Sequence, residues 1–297
     1  MFKDLTIKPI THGNGYSGVF NAMASSCEVL VESDDKVLAT KLIQAVCKEA
    51  KRIEHKFSRY NKNNITHELN NSNGKEIKLD KETAQLIDFS ITCYQLSEGL
   101  FDITSGVLRK VWYFDGYDNI PSKNQITPLL KHIGLQKLKW APPFLSIPQG
   151  MEIDLGGIGK EYAVDSSLKK ALQITTNTPI LLNFGGDLIC NGPRRDGQAW
   201  NVGVENIGGG ENVIIALKRG ALATSGDANR YLYKQGIRYS HILNPITGYP
   251  VEEAARSITV AAESCVEAGL ISTIAMLQGK NADSFLIDQE IKYWIQQ

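Results

Sequence analysis

The residues best spaced for chemistry lie in "EIDLGGIGKEYAVD", Glu152 to Asp165, where Gly156, Gly157 and Gly159 separate an apolar strand end from a helix starting near Lys160. Glycines let backbone N–H groups approach a ligand closely, and the helix adds the positive end of its dipole. That combination suits a diphosphate, with Lys160 as a point charge. The spacing is neither GxGxxG nor a Walker A loop, so a plain strand-to-helix turn explains the run equally well. A second glycine pair, Gly185 and Gly186, follows an apolar run and precedes Asp187. A hairpin turn accounts for it, and the two turns imply a shared ligand only if they meet in space.

The stretch "ALATSGDANRYLYKQGIRYSHILNPITGYPV" crowds Thr224, Ser225, Tyr239, Ser240, His241, Asn244 and Thr247 around turns. His241, on a strand running into "NPITGYP", is a candidate general base or hydrogen-bond donor, set against a structural role. Ser240 cannot be its triad partner, because neighbours on a strand point to opposite faces. Phe101, Trp112, Tyr113 and Phe114 lie near Asp102 and Thr104. They could wall a planar ring, although the pattern favours a core edge. His12, His55, His67 and His132 are scattered, with no HxxxH or HxH spacing, and read as surface or structural.

The elements that must position these groups change character along the chain. Apolar residues Leu38, Leu42, Val46, Ile53 and Phe57 predict an amphipathic helix from Lys36 to Phe57. A second helix is expected from about Lys81 to Ser97, stopped near Gly99, with "SRYNKNNITHELNNSNGKE" between them as loop. Later, "TPILLNFGGDLI", "WNVGVEN", "NVIIALKRGALATSG" and "ARSITVAA" are β-rich runs between glycine turns, followed by a buried helix from about Val266 to Gln278. Helices early and strands late, without βα alternation, favour an α+β sheet architecture over a Rossmann fold. The 297 residues, without repeats or a linker, form one unit with interleaved parts.

Thirty-two basic residues balance thirty-two acidic ones, so nothing global recruits nucleic acid or an anionic membrane. Five widely spaced cysteines without a CxxC pair read as reduced thiols rather than a disulfide framework or zinc site. The start lacks an apolar h-region, a cleavage site and a lipidation cysteine, and no run approaches eighteen apolar residues. The expectation is a cytoplasmic protein with no stable membrane insertion.

Taken in order, "AMASSCEVLV", "FSRYN", "FDITSGVL", "EIDLGGIGKEYAVD", "NFGGDL", "LATSG", "YSHILNPITGYPV" and "GLISTIAMLQG" resemble the ApbE family of FAD:protein FMN transferases from about Asn21 to Gly279. The resemblance implies a helix-flanked antiparallel sheet with a T-fold-like core, FAD as substrate, Mg²⁺, and an acceptor flavoprotein whose Ser or Thr takes FMN as AMP leaves. It places the diphosphate against Gly156, Gly157 and Lys160, and the ring near Met23, Tyr60, Phe101, Asp102 and Thr104. Ser225, His241 and Ile242 complete the implied contacts, with His241 and then Asp187 as candidates for activating the acceptor hydroxyl.

The family's metal ligands are a backbone carbonyl in "GGIAKG" and an Asp and a Thr four residues apart in "ADALST". The carbonyl falls on Gly159 and the Thr on Thr273, but the Asp falls on Gly269, and "GGIGKE" carries Glu161 where the family has glycine. Loss of the charged ligand implies weakened Mg²⁺ binding, since that ion prefers carboxylate oxygens. Glu267 sits on the wrong helix face to replace it, which leaves Glu161 or Glu263. The alternatives are an FAD-binding relative with weak or no transfer, and an FAD hydrolase giving FMN and AMP.

Overall fold

The computed structural model describes residues 4–11, 14–114, 118–207, 209–227 and 230–297. His12 lies outside them. An eight-stranded sheet organises the chain, with strands in the order β1 (Thr6–Pro9), β2 (Tyr16–Ala22), β3 (Ser25–Val31), β7 (Ile180–Phe184), β8 (Asp187–Cys190), β11 (Gly220–Gly226), β14 (Ser257–Ala262) and β15 (Lys292–Gln296). Every neighbouring pair in it is antiparallel. Three small sheets accompany it: β4 (Glu76–Lys78) with β6 (Phe144–Ser146) and β5 (Lys139–Ala141), the hairpin β9 (Trp200–Val204) with β10 (Val213–Leu217), and the hairpin β12 (Tyr231–Lys234) with β13 (Ile237–Ser240). This is the expected α+β architecture of an antiparallel sheet flanked by helices.

The helices are α1 (Lys36–Phe57), α2 (Ile65–Asn70), α3 (Lys81–Leu96), α4 (Lys123–Leu130), α5 (Gly159–Leu172), α6 (Cys265–Leu277) and α7 (Ala282–Asp288). Helix α1 has the predicted bounds because Asp35 caps it, its carboxylate accepting from the amides of Val37 and Leu38. It buries Leu42, Ile43, Val46 and Ile53 against the sheet. The Asn-rich loop is a correction: Ile65–Asn70 is helical, because Asn64 accepts from the amide of His67 and supplies a cap. A one-and-a-half-turn helix is too short to leave a periodic apolar signal. The early half also contributes β1 to β3, so strands are not confined to the late half.

Both faces of the central sheet are covered. Leu182 and Ile189 belong to the large core shared with α1, α5 and α6, whereas Leu181 and Leu188 point the other way, into a small core closed by Trp200, Val202, Ile215 and Leu217 of the β9–β10 hairpin. That two-sided burial explains why the late strands read as continuous apolar runs. A third core gathers Val107, Leu108, Trp112, Ile126 and Leu232 around the 3-10 helix Ile103–Lys110, α4 and the β12–β13 hairpin. All five cysteines are buried free thiols. No described helix is long and apolar enough to cross a membrane.

Candidate active site

The two glycine turns meet. Gly185 and Gly186 form the two-residue turn between β7 and β8, with φ of 60° and 97°, and Phe184 pairs with Asp187 across it. Lys160, in the first turn of α5, reaches over this hairpin: its Nζ lies 2.7 Å from Asp187 Oδ2 and 3.5 Å from the Gly185 carbonyl. The other Asp187 oxygen, Oδ1, accepts from the amide of Thr224 on β11 at 3.3 Å. Burial pulls the Lys160 amine down, but Asp187 and Glu161 outweigh it, so it is held protonated. Burial pushes the Asp187 carboxyl up, with Lys160 opposing.

A second hairpin tip completes this wall. Met23 and Ala24, between β2 and β3, both have positive φ, 53° and 55°, a conformation that costs non-glycine residues about 1 kcal/mol or more each. Glu54 on α1 holds the tip by accepting from the Met23 amide at 2.7 Å. The Gly185 amide donates to the Ser26 carbonyl at 3.1 Å, which sets the two tips side by side.

Helix α5 begins with no side-chain cap, and its first amide, that of Gly159, donates to the Leu155 carbonyl at 2.7 Å, so an anion would meet the positive end of the helix through the amides that follow. The glycine turn before it is held by Asp154, which accepts from the Gly156 amide at 2.9 Å and pairs with Arg59 at 2.9 Å and Arg109 at 3.4 Å. Asp154, Arg59 and Arg109 went unnoticed in the sequence, since nothing local marks residues paired across 95 positions. Gly157 is tightly placed: a Cβ there would lie 3.2 Å from the Phe101 ring, which would have to give by a few tenths of an ångström. Gly157→Val is therefore expected to shift Phe101 against the turn, costing about 1–3 kcal/mol in a urea melt.

The hydroxyl side of the site lies on α6 and β11. Ser225 Oγ is 2.8 Å from Thr273 Oγ1 and 2.9 Å from Ser272 Oγ, and Ser272 donates to the Gly269 carbonyl. Asp165, one turn beyond Glu161 on α5, accepts from the amides of Cys265 and Val266 at 2.9 Å each, fixing α6 against α5. Glu161 itself is buried, and its Oε2 has no hydrogen-bond partner among the described residues. Burial and then the charge of Asp187 push its carboxyl up to about 8.

His241 sits one residue past β13 rather than on it. Its Nδ1 lies 3.1 Å from the Arg230 carbonyl, which can only accept, so Nδ1 carries the proton and Nε2 keeps its lone pair. Burial, with the charges of Arg230 and Arg109, lowers its pKa to about 4. Phe114 meets the ring edge-on at 6.2 Å and stacks on Trp112. His241 and Asp187 thus have separate partners linked through β11, which carries Thr224 beside Asp187 and runs on to Asp227, whose charge reaches His241. Ile242, partly buried against the large core, donates its amide to Ser240 Oγ at 3.1 Å.

Other candidates divide. Asp102 and Thr104 are spent internally. Asp102 accepts from the Thr104 amide and hydroxyl and from the Leu135 amide, and the Thr104 oxygen accepts from the Gly134 amide. Any contact of this segment with a planar ring would therefore be left to groups other than these side-chain oxygens. Trp112 and Phe101 belong to cores, as the pattern favoured, whereas Tyr113 is exposed. Tyr60 is 78% exposed with the Arg59 guanidinium 5.8 Å from its ring centre, leaving a face free for a planar group.

Residues 23–295 match the ApbE family profile. The chain belongs to the ApbE family. Among relatives, the FAD:protein FMN transferase of Vibrio cholerae serotype O1 is 28% identical over 257 residues, covering 84% of this chain and 75% of that protein. The FAD:protein FMN transferase of Haemophilus influenzae is 26% identical over 255 residues, covering 80% and 72%. The crystal structure of the ApbE protein from Thermotoga maritima superposes with a TM-score of 0.88 at 32% identity, covering 95% of this chain and 94% of that one. The apo Pseudomonas stutzeri flavinyl transferase ApbE, at 22% identity and TM-score 0.84 over 99% and 92%, supports the ApbE fold alone.

Two departures from the ApbE pattern have a structural answer. A Cβ at Gly159 would meet nothing within 4 Å, so glycine there opens no gap that a neighbour fills. A Cβ at Gly269 would lie 2.5 Å from Glu161 Cγ and 3.1 Å from its Oε1, so Glu161 occupies the space of the missing side chain.

Proposed function

We propose that this ApbE protein is a Mg²⁺-dependent FAD:protein FMN transferase that forms a phosphoester with a Ser or Thr of an acceptor flavoprotein. The observation that carries the reading is the Lys160–Asp187 pair, a half-buried ammonium on a buried carboxylate, at the junction of both glycine turns and the start of α5. The positive end of α5 and one fixed cation form a receptor for a diphosphate, the group that an FMN transfer must cleave. The names of the relatives support FAD as the substrate.

The acceptor hydroxyl oxygen attacks the phosphorus on the FMN side, the bond from that phosphorus to the bridging oxygen breaks, and AMP leaves with that oxygen. Lys160 stands against the charge that gathers on the diphosphate, and Asp187 fixes its ammonium in place. The pairing speaks for Asp187 as a positioning group, so the hydroxyl proton falls to Nε2 of His241. Thr273 Oγ1, the Gly159 carbonyl and the unpartnered Glu161 oxygen are hard donors that fit a magnesium ion, although no group of three or more His, Cys, Asp or Glu side chains gathers among the described residues. Bound there, the ion would neutralise charge on the leaving diphosphate.

The test is incubation with FAD, Mg²⁺ and a candidate acceptor domain, followed by mass spectrometry. An acceptor gaining one FMN unit with equimolar AMP supports transfer. FMN and AMP with unmodified acceptor would turn the assignment to hydrolysis. His241→Ala should lower the transfer rate about 10²–10⁴-fold with FAD binding retained. Because kcat/KM reports the free enzyme, the His241 limb of its pH profile should fall near 4, leaving activity flat between pH 5.5 and 7 on its account.

A further inference from the structure

Glu161 is an anomaly under any reading that leaves the cation out. Its side chain is more than nine-tenths buried, with Asp187 and Asp165 adding like charge against the opposing charge of Lys160, and one carboxylate oxygen is unpartnered among the described residues. Burying a carboxylate oxygen without a hydrogen bond is expensive, and such groups persist where a ligand repays the cost. Its direction is fixed by α6: the carboxyl stands where a side chain at position 269 would begin. Positions 269 and 273 lie one turn apart on one helix face, so the carboxyl stands about one turn from Thr273, the hydroxyl hydrogen-bonded to Ser225. Gly269 is what makes this placement possible, since a Cβ there would overlap Glu161 Cγ.

We propose that Glu161 is the charged ligand of a divalent cation in this chain, donated from α5 in place of the aspartate that the resemblance puts at position 269 on α6. The exchange is reciprocal: the carboxylate moves to a neighbouring helix, and glycine stands at the position it replaces. A glutamate is one methylene longer than an aspartate, the extra reach needed to cross from α5 into the space beside α6. The Asp165 bonds to Cys265 and Val266 hold the two helices at fixed separation, so the transplanted carboxylate stays in register with Thr273. Glu263 has no such placement: it lies ahead of the α6 cap residue, Ser264.

This inference rests on the transferase reading, and the experiment separates the two. The full chain, saturated with FAD, is titrated with MgCl₂ in a calorimeter, and FAD affinity is measured separately in chelator. Wild type should bind one Mg²⁺. Glu161→Gln should weaken that binding at least tenfold while changing metal-free FAD affinity less than threefold. The double variant Glu161→Gly with Gly269→Asp should return the Mg²⁺ affinity to within about fivefold of wild type. Unchanged Mg²⁺ affinity in Glu161→Gln, or a double variant no better than Glu161→Gln, would overturn the assignment and leave FMN transfer standing. Wild type that binds FAD but no Mg²⁺ would also overturn it, while failure to bind FAD at all would sink the transferase reading itself.

Discussion

Asp187→Ala is expected to cost about 1–3 kcal/mol of folding free energy and to lower FMN transfer about 10²–10³-fold. The stability loss comes from Lys160, whose half-buried ammonium faces a buried carboxylate at 2.7 Å and would be left without it. Removing one member of such a pair exposes part of the desolvation cost of the other, whereas removing both leaves nothing to desolvate. Lys160→Met combined with Asp187→Leu should therefore melt in urea within about 1–2 kcal/mol of wild type while remaining as inactive as the single variant. Recovery of activity along with stability in the double variant would show that the pair supports folding only. The loss should appear in kcat more than in KM, because the charge opposed by Lys160 grows as the bridging bond breaks.

Glu161→Gln is expected to stabilise the metal-free protein above neutral pH, by roughly 2–4 kcal/mol at pH 9 and by almost nothing at pH 5. Burial lifts the Glu161 carboxyl from its ordinary 4.5 to about 8, so the folded state holds the proton more tightly than the unfolded chain. That contribution is complete below pH 4.5 and is lost as the pH rises through 8. Glutamine has no proton to lose, so its stability should stay level where the wild type declines. Thermal melts of both proteins in chelator, from pH 5 to 9, measure the difference. Parallel curves would mean that Glu161 ionises as freely in the folded protein as in the unfolded chain.

Much of the frame was legible because local signals decide it. Helix α1 carries its apolar stripe and its Asp35 cap within one stretch, and both ends fall where the pattern puts them. The Gly185–Gly186 turn is likewise self-contained, since two positive φ angles between apolar runs need those residues. Residues whose meaning depends on distant partners were harder. Asp154 resembles any turn aspartate until Arg59 and Arg109 arrive from elsewhere in the chain. Asp102 and Thr104 suggested a ligand site because polar residues beside aromatics do so in general, yet their oxygens clamp the Gly134–Leu135 backbone. Glu161 was only one of two carboxylates able to approach Gly269, and choosing between them required the separation of two helices that sequence does not encode locally.

The Asp165 carboxylate has a further consequence, for the polarity of the binding cleft. Two helices begin in this region, and either beginning could in principle attract a negatively charged guest. One is already satisfied from within the chain, because Asp165 takes the Cys265 and Val266 amides. The other, at α5, has no side-chain cap, and its first amide is engaged by the Leu155 carbonyl at 2.7 Å. The α6 amides that Asp165 takes are thereby withdrawn from any guest anion, and the Lys160 ammonium at the Gly185 turn is left to meet it.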